Sequence, residues 1–261
     1  MRGVREHVTV ASPSVHGASA GGARRALAGS ALTLAASVLA ASCGGGHGHA
    51  STPTTVDPGP SPRALLDRTA RVLDATRAVH FELLSSGLPP KTTVMVSGHG
   101  DLARPADVAG SLLVGASGAT ATIKVIAANG KFYVELPLTP RYTTAKPATY
   151  GLGNPAVLLS RTRGLTSLLA HLLVPAIHGS LHVDGEQLEL IAGTVPGTQV
   201  PFLTDRDRNQ PVTVTAEIAT RSWQLRRVVL SGPFAKPRTT TTYTIELTDY
   251  GEHVRVAPPP A

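Results

Sequence analysis

The chain has 261 residues and a formal net charge of +7, with 42% hydrophobic but only 4% aromatic residues and a single cysteine. Its basic residues are scattered rather than gathered into a stripe with interleaved aromatics, which argues against nucleic acid as a partner. One cysteine excludes an intramolecular disulfide, so burial and hydrogen bonding must hold the fold.

The single cysteine, Cys43, ends a segment typical of a bacterial lipoprotein signal. Two arginines at positions 24 and 25 precede residues 26–41, which carry no charge, and the segment closes with LAASC at 39–43. A basic region, an apolar region and small residues before a cleavage site are the three parts of a secretory signal. We therefore predict a signal peptide over residues 1–43, with a diacylglyceryl group on Cys43. An ordinary signal with an incidental cysteine is the alternative.

The uncharged run is shorter than the about 20 residues of a membrane-spanning helix, which favours a lipid anchor on the extracytoplasmic face of the cell membrane. Loss of residues 1–43 removes four arginines and one glutamate, and lowers the net charge from +7 to +4. Residues 44–60 follow as a flexible linker rich in Gly, Ser, Thr and Pro. Its two histidines, His47 and His49, lack a third ligand, so neither a metal site nor a cofactor is predicted.

A first helix is predicted to begin at Ser61 and Pro62, because serine is a good N-cap and proline fits the first helical position. Threonine and apolar side chains then recur at spacings of three and four residues, at positions 65, 69, 72, 76 and 79. Charged residues lie mostly on the other side. The pattern predicts an amphipathic helix that packs on another element.

Alternating apolar residues and turn signals predict a large antiparallel sheet. Asn129-Gly130 and Asp184-Gly185 indicate tight hairpins, because these residue types tolerate positive φ. Strands are predicted at residues 80–86, 92–102, 108–115, 119–128, 131–136, 177–183, 186–192, 212–218, 223–230, 239–247 and 253–256, before a disordered tail at 258–261.

Asn154 and Pro155 indicate a second helical start, and Gly164 divides the apolar stretch that follows. This stretch is apolar over a wider arc than one packed face needs, so it is either fully buried or the wall of an apolar cavity. Helix, strands, helices and strands follow one another without a parallel crossover. The order predicts an α+β fold over residues 61–257, with one antiparallel sheet and helices on a single face.

The sequence contains no recognisable catalytic motif. The chain lacks a Gly-x-Ser-x-Gly elbow, a phosphate-binding loop, a dinucleotide fingerprint and a paired-histidine zinc helix. The histidines are dispersed over strands and a helix end. A binding protein is therefore favoured over an enzyme.

Pieces of the sequence resemble, in order, the mycobacterial LppX/LprG-type lipoprotein family, which includes LprA and LprF. The resemblance covers residues 65–256. The pieces are residues 75–81, 129–134, 154–169, 184–185 with 211–218, and 250–254. The chain departs from the family pattern at Tyr142, where tryptophan is commoner, and at residues 151–153.

This resemblance implies a U-shaped antiparallel half-barrel with helices over its concave face and an enclosed apolar cavity. It also implies a protein that binds acylated lipids or glycolipids and carries them from the plasma membrane toward the outer envelope, with an inner-membrane lipid exporter as a candidate partner. The predicted cavity lining comprises Leu158, Leu159, Leu165, Leu168, Leu169, Leu172, Val125, Val134, Val214 and Ile218.

Two other functions remain open at this stage. One is a surface interaction, scaffold or antigenic lipoprotein with a collapsed cavity and no lipid-transfer role. The other is a hydrolase that acts on envelope lipids.

Overall fold

The computed structural model describes residues 59–90, 93–116, 118–150, 153–203, 210–236 and 238–260. Residues 55–261 form one compact unit, and its described part contains a single hydrophobic core cluster. The predicted signal peptide, its Cys43 and linker residues 44–58 lie outside the described residues.

The fold is built on one 11-stranded antiparallel sheet, which confirms the predicted sheet class. In space the strands follow the order β6-β5-β4-β3-β2-β1-β11-β10-β9-β8-β7, so β6 and β7 are the two edges. The strands are β1 Ala78–Ser86, β2 Val94–Ala103, β3 Asp107–Ala116, β4 Ala119–Ala128, β5 Lys131–Leu136, β6 Thr139–Thr144, β7 Leu173–Val183, β8 Glu186–Pro196, β9 Pro211–Ala219, β10 Leu225–Lys236 and β11 Thr239–Thr248.

The two predicted hairpin turns are confirmed. Asn129 and Gly130 have φ of 53° and 74°, and they join β4 to β5. Asp184 and Gly185 have φ of 50° and 78°, and they join β7 to β8. Positive φ at both turn positions matches the right-handed twist of the flanking strands, which is why a local signal fixes these pairings.

One face of the sheet is apolar, and the helices cover it. The cross-strand neighbours on this face all belong to the hydrophobic core. They are Leu83, Ile245, Val228, Ala216 and Ile191. Alternate positions carry charge on the opposite face. There, Arg227 Nη2 lies 2.8 Å from Glu246 Oε1, and its Nη1 lies 3.4 Å from Glu217 Oε1.

The first helix, α1, spans Pro62–Ala75 and begins as predicted. The Ser61 hydroxyl accepts a hydrogen bond from the Ala64 amide at 3.3 Å, and proline occupies the first turn. Its buried residues are Leu65, Leu66, Thr69 and Leu73. The helix ends at Ala75. Of the positions predicted to form its apolar face, Thr76 is therefore the C-terminal cap and Val79 lies in β1.

The second predicted helical stretch is shorter and broken. Asn154 caps as expected, with its Oδ1 accepting from the Ala156 amide at 3.1 Å, but the element that follows is a 3-10 helix at Pro155–Val157. A turn then leads into α2 at Leu165–Ala170. Further 3-10 helices lie at Pro147–Tyr150 and Gly197–Gln199.

The predicted last strand at residues 253–256 is wrong. These residues form no strand, because β11 already pairs with β1 on one side and β10 on the other. The following residues, 257–260, also form no regular element, and residue 261 of the predicted tail lies outside the described residues.

Candidate functional site

The ten residues predicted to line a cavity come together in the interior of the domain. They lie in one hydrophobic cluster, and each is at most 1% exposed. In this conformation these side chains are packed against one another and their neighbours, although Ile218 also lies in the wall of a groove described below. A cavity for a large apolar ligand would require these side chains to move apart. The ten residues are Leu158, Leu159, Leu165, Leu168, Leu169, Leu172, Val125, Val134, Val214 and Ile218.

A tight reversal brings the leucines on either side of Gly164 into the same cluster. The Gly164 amide donates to the Ser160 carbonyl at 2.9 Å, and the Leu165 amide donates to the Leu158 carbonyl at 2.8 Å. A Cβ at position 164 would collide with the carbonyls of Val157 and Leu158. Glycine at this position therefore lets the turn close against the start of α2.

Polar contacts hold α1 and α2 to each other. At one end, Arg63 Nη1 donates to the carbonyls of Leu169 at 3.2 Å and Ala170 at 3.1 Å, and its Nη2 donates to the Leu172 carbonyl. Toward the other end of α1, Thr166 Oγ1 donates to Asp74 Oδ1 at 2.9 Å. The two helices are therefore joined as a pair through polar groups, whereas the buried side chains that face the core are mainly apolar.

Arg104 ties the C-terminal end of α1 to the sheet. Its Nε donates to the Thr76 carbonyl at 2.8 Å, and its Nη2 donates to the Leu73 carbonyl at 2.9 Å. Burial lowers the pKa of Arg104 below its usual value, and the nearby Asp74 carboxylate partly opposes that shift. This end of the helix pair is therefore anchored.

A groove of about 350 Å³ opens beside the N-terminal end of α1. Two of its wall residues, Leu65 and Ile218, also belong to the hydrophobic core, so the groove leads directly to the cluster described above. The chain enters the domain here, because the last two residues of the predicted linker form part of the wall. The lining is Gly59, Pro60, Leu65, Ile177, Glu189, Ile218, Thr220 and Trp223.

Trp223, the only tryptophan in the chain, forms one side of this groove. It lies in the turn between β9 and β10 with φ of 60°, and the Arg68 guanidinium lies 4.5 Å from its ring centroid. A cation at this distance is attracted to the ring face. Trp223 is not predictable as a site residue from the sequence, because no periodic pattern connects this turn to α1.

The groove continues onto an exposed apolar edge of the sheet. Ile177 of β7 lines the groove and is 42% exposed, and Val174 of the same strand is 88% exposed. Leu173, Leu181 and Val183 are also exposed. Strand β7 contains no Asp, Glu, Lys or Arg, so a largely apolar surface borders the opening.

Other polar groups in the described part of the chain form structural contacts. His80 Nδ1 lies 2.7 Å from Asp101 Oδ1 across β1 and β2. The Tyr250 hydroxyl donates to the Leu225 carbonyl at 2.6 Å, and burial raises the pKa of Tyr250 well above its usual value. Among described residues, no three or more His, Cys, Asp and Glu side chains are placed to hold a metal ion. Likewise, no described helix is long and apolar enough to cross a membrane.

Comparison with known proteins gives a consistent picture. The family model described as LppX_LprAFG lipoprotein matches residues 61–256. LprF from Mycobacterium bovis is similar in structure, with 18% identity, a TM-score of 0.63, and coverage of 77% of this chain and 97% of LprF. LppX from Mycobacterium tuberculosis is similar at 16% identity and a TM-score of 0.54, covering 75% and 98% respectively. Among curated proteins, no significant sequence match is found.

Proposed function

Because the chain belongs to the LppX/LprAFG lipoprotein family, we propose that it is a lipid-anchored protein that binds acylated lipids or glycolipids in its apolar interior. Cys43 is the proposed site of lipidation, and it holds the protein on the extracytoplasmic face of the cell membrane. The protein carries its ligand from the plasma membrane toward the outer envelope without changing it chemically. An inner-membrane lipid exporter is the proposed source of that ligand.

The observation that carries this proposal is the continuity between the groove and the core. Leu65 and Ile218 belong to both, so an acyl chain that enters at the groove meets mainly apolar side chains as it goes deeper. Burial of each methylene contributes about 0.8 kcal/mol to binding. The groove itself, at about 350 Å³, is at the small end of ligand pockets, which span about 300–1,000 Å³. It holds part of a multi-acyl lipid, so the interior must open to accept the rest.

The contacts of the helices suggest how the interior opens. Arg63 and the Asp74–Thr166 bond join α1 to α2, so the two helices move together. Arg104 holds the C-terminal end of α1, whereas the N-terminal end lies beside the groove. Lifting of the helix pair about Arg104 would separate α2 from the sheet. The proposed lining of the opened interior is Leu158, Leu159, Leu165, Leu168, Leu169 and Leu172, facing Val125, Val134, Val214 and Ile218.

A second candidate is a surface interaction or scaffold protein with no lipid-transfer role. The near-complete burial of the ten proposed lining residues favours it, since a permanently packed core would exclude lipid. The exposed apolar residues of β7 would then be the contact surface.

Tryptophan quenching by brominated lipids separates the two candidates. Because Trp223 is the only tryptophan and lies in the groove, bromine atoms on an entering acyl chain should quench its emission on contact. The non-acylated chain from residue 44 onward is mixed with a brominated diacyl lipid below its aggregation concentration. Saturable quenching supports the lipid carrier, and unchanged emission supports the surface protein.

A matched control moves the reporter to the opposite face of the sheet. The variant Trp223→Phe with Leu84→Trp places the tryptophan at a position that is 62% exposed and adjacent to Glu82 on the charged face. This variant should show no saturable quenching. Equal quenching of both proteins would indicate nonspecific adsorption and contradict the proposed site.

A further inference from the structure

Thr69 carries a hydroxyl that nothing in the described structure satisfies. The residue is fully buried on α1, and its Oγ1 is the single buried side-chain oxygen or nitrogen without a hydrogen-bond partner among the described residues. The other buried polar side chains there all have partners: Thr76 bonds Val72 O, Thr166 bonds Asp74, Ser167 bonds Gln199, Glu217 pairs with Arg227, and Thr241 bonds Gly87 O.

Comparison with Thr76, the C-terminal cap of α1, shows why the unpaired hydroxyl of Thr69 is unusual. Thr76 Oγ1 donates to the carbonyl four residues earlier, that of Val72, at 2.9 Å. This is the ordinary way in which a helical threonine satisfies itself. Thr69 forms no such bond with Leu65 O. Because an unsatisfied buried hydroxyl destabilises a fold, a valine of the same shape would suit a purely structural role better.

The position of Thr69 relates this hydroxyl to the groove. Leu65, Thr69 and Leu73 are spaced by four residues and share the buried side of α1. Leu65 lines the groove, and Thr69 follows it by about one helical turn, or roughly 5–6 Å along the axis. A chain that enters past Leu65 would therefore reach the level of the unpaired hydroxyl next, on a helix whose neighbouring buried residues, Leu66 and Leu73, belong to the hydrophobic core.

We propose that the Thr69 hydroxyl donates a hydrogen bond to an acyl-ester carbonyl of the bound lipid. The inference rests on the proposed lipid-binding function and specifies its ligand class as ester-linked acyl lipids. A neutral acceptor is required, because an ionised group would remain uncompensated in this apolar surrounding. The ester carbonyl is such an acceptor, and it lies where a lipid changes from polar head to acyl chain. Thr69 thus sets how deep the ester lies below the groove.

An ester and ether pair of lipids tests this assignment. A diacyl phospholipid and its diether analogue share head group and chain length but differ in the carbonyl. Binding to the non-acylated chain from residue 44 is followed by Trp223 emission. Wild-type protein should bind the diester about five- to tenfold more tightly than the diether, the equivalent of one neutral hydrogen bond. In Thr69→Val this preference should vanish, with diether affinity unchanged, and Thr69→Ser should retain it.

Thr76→Val is the matched control, because it removes a hydroxyl that already has a partner. It should lower the melting temperature and keep the diester preference, whereas Thr69→Val should keep or raise the melting temperature. If Thr69→Val keeps the wild-type preference for the diester, or binds both lipids more weakly by the same factor, the hydrogen bond from Thr69 is contradicted. The proposed lipid-binding function is then unaffected. Wild-type protein that binds neither lipid overturns the proposed function as well.

Discussion

Gly164 controls how closely the chain can reverse before α2. Its missing Cβ leaves room for the carbonyls of Val157 and Leu158, whereas the first atom of any side chain would meet these backbone atoms. Gly164→Ala is therefore expected to lower the free energy of unfolding by about 1–3 kcal/mol, the usual range for overpacking. Chemical denaturation measures the change.

Gly115→Ala is the control for this prediction. A Cβ there would lie 3.3 Å from a side-chain carbon of Val96, which can shift, and alanine suits a strand better than glycine does. The substitution should be close to neutral. Equal stability of the two variants would contradict the role given to Gly164.

Cys43 is the residue on which the proposed lipid anchor depends. If its thiol carries the diacylglyceryl group, Cys43→Ala should abolish lipidation and either release the protein from membranes or leave it unprocessed. Metabolic labelling with a fatty acid and membrane fractionation check both outcomes. Mature-length Cys43→Ala protein that remains with the membrane would contradict the anchor.

Single residues also show how far the sequence can predict the site. Thr69 was placed correctly on the packed side of α1 by spacing alone. That its hydroxyl lacks a partner could not be predicted, because this depends on the side-chain conformation and on every neighbouring acceptor. The place of Trp223 in the groove could not be predicted for a similar reason. It lies close to α1 only because the folded sheet places the β9–β10 turn beside Arg68.

Among the elements, the pair formed by α1 and α2 is the part that must move if lipid enters. Arg63 reaches three carbonyls at the C-terminal end of α2, where a cation also interacts favourably with the helix dipole. Arg63→Met keeps much of the apolar stem but loses all these bonds. We expect a loss of about 1–3 kcal/mol in stability, since hydrogen bonds from a charged group are each worth about 1.5–3 kcal/mol and solvent replaces part of them.

The same substitution should slow lipid exchange, because α1 then no longer carries α2 with it when the pair lifts from the sheet. Stopped-flow Trp223 emission measures the exchange rate. Arg71→Met is the control, since Arg71 is exposed on the outer side of α1. Unchanged exchange in Arg63→Met, with the expected loss of stability, would show that the helix pair does not gate entry.

The elements that the sequence predicted well are those fixed by local chemistry. Asn129-Gly130 and Asp184-Gly185 determine their hairpins through positive φ, and Ser61 caps α1. Strand β6 at Thr139–Thr144 was missed, because an edge strand with Pro140 and Arg141 shows no apolar alternation. The strand predicted at 253–256 is absent for a nonlocal reason, because β11, the strand before it, already has a neighbour on each side.

At the scale of the whole molecule, the groove lies where the chain enters the folded domain, because Gly59 and Pro60 form part of its wall. The sequence predicts a flexible linker over residues 44–60, and a flexible chain of that length would span roughly 20–25 Å. We propose that this tether lets the domain stand clear of the bilayer and reach away from its anchor. The apolar surface of β7 borders the same opening, so the entry route is apolar from the edge strand to the core.

Affinity should therefore follow the acyl chains more closely than the head group. Each buried methylene contributes about 0.8 kcal/mol, or about fourfold in affinity, until the opened interior is full. A competition series of mono-, di- and triacylated ligands with one head group, read by Trp223 emission, should show rising affinity and then a plateau. A parallel series that varies only the head group should change affinity less, because the groove contributes one carboxylate, that of Glu189, among mainly apolar walls. A flat acyl series, or a preference set by the head group alone, would contradict the carrier mechanism and favour recognition at the surface.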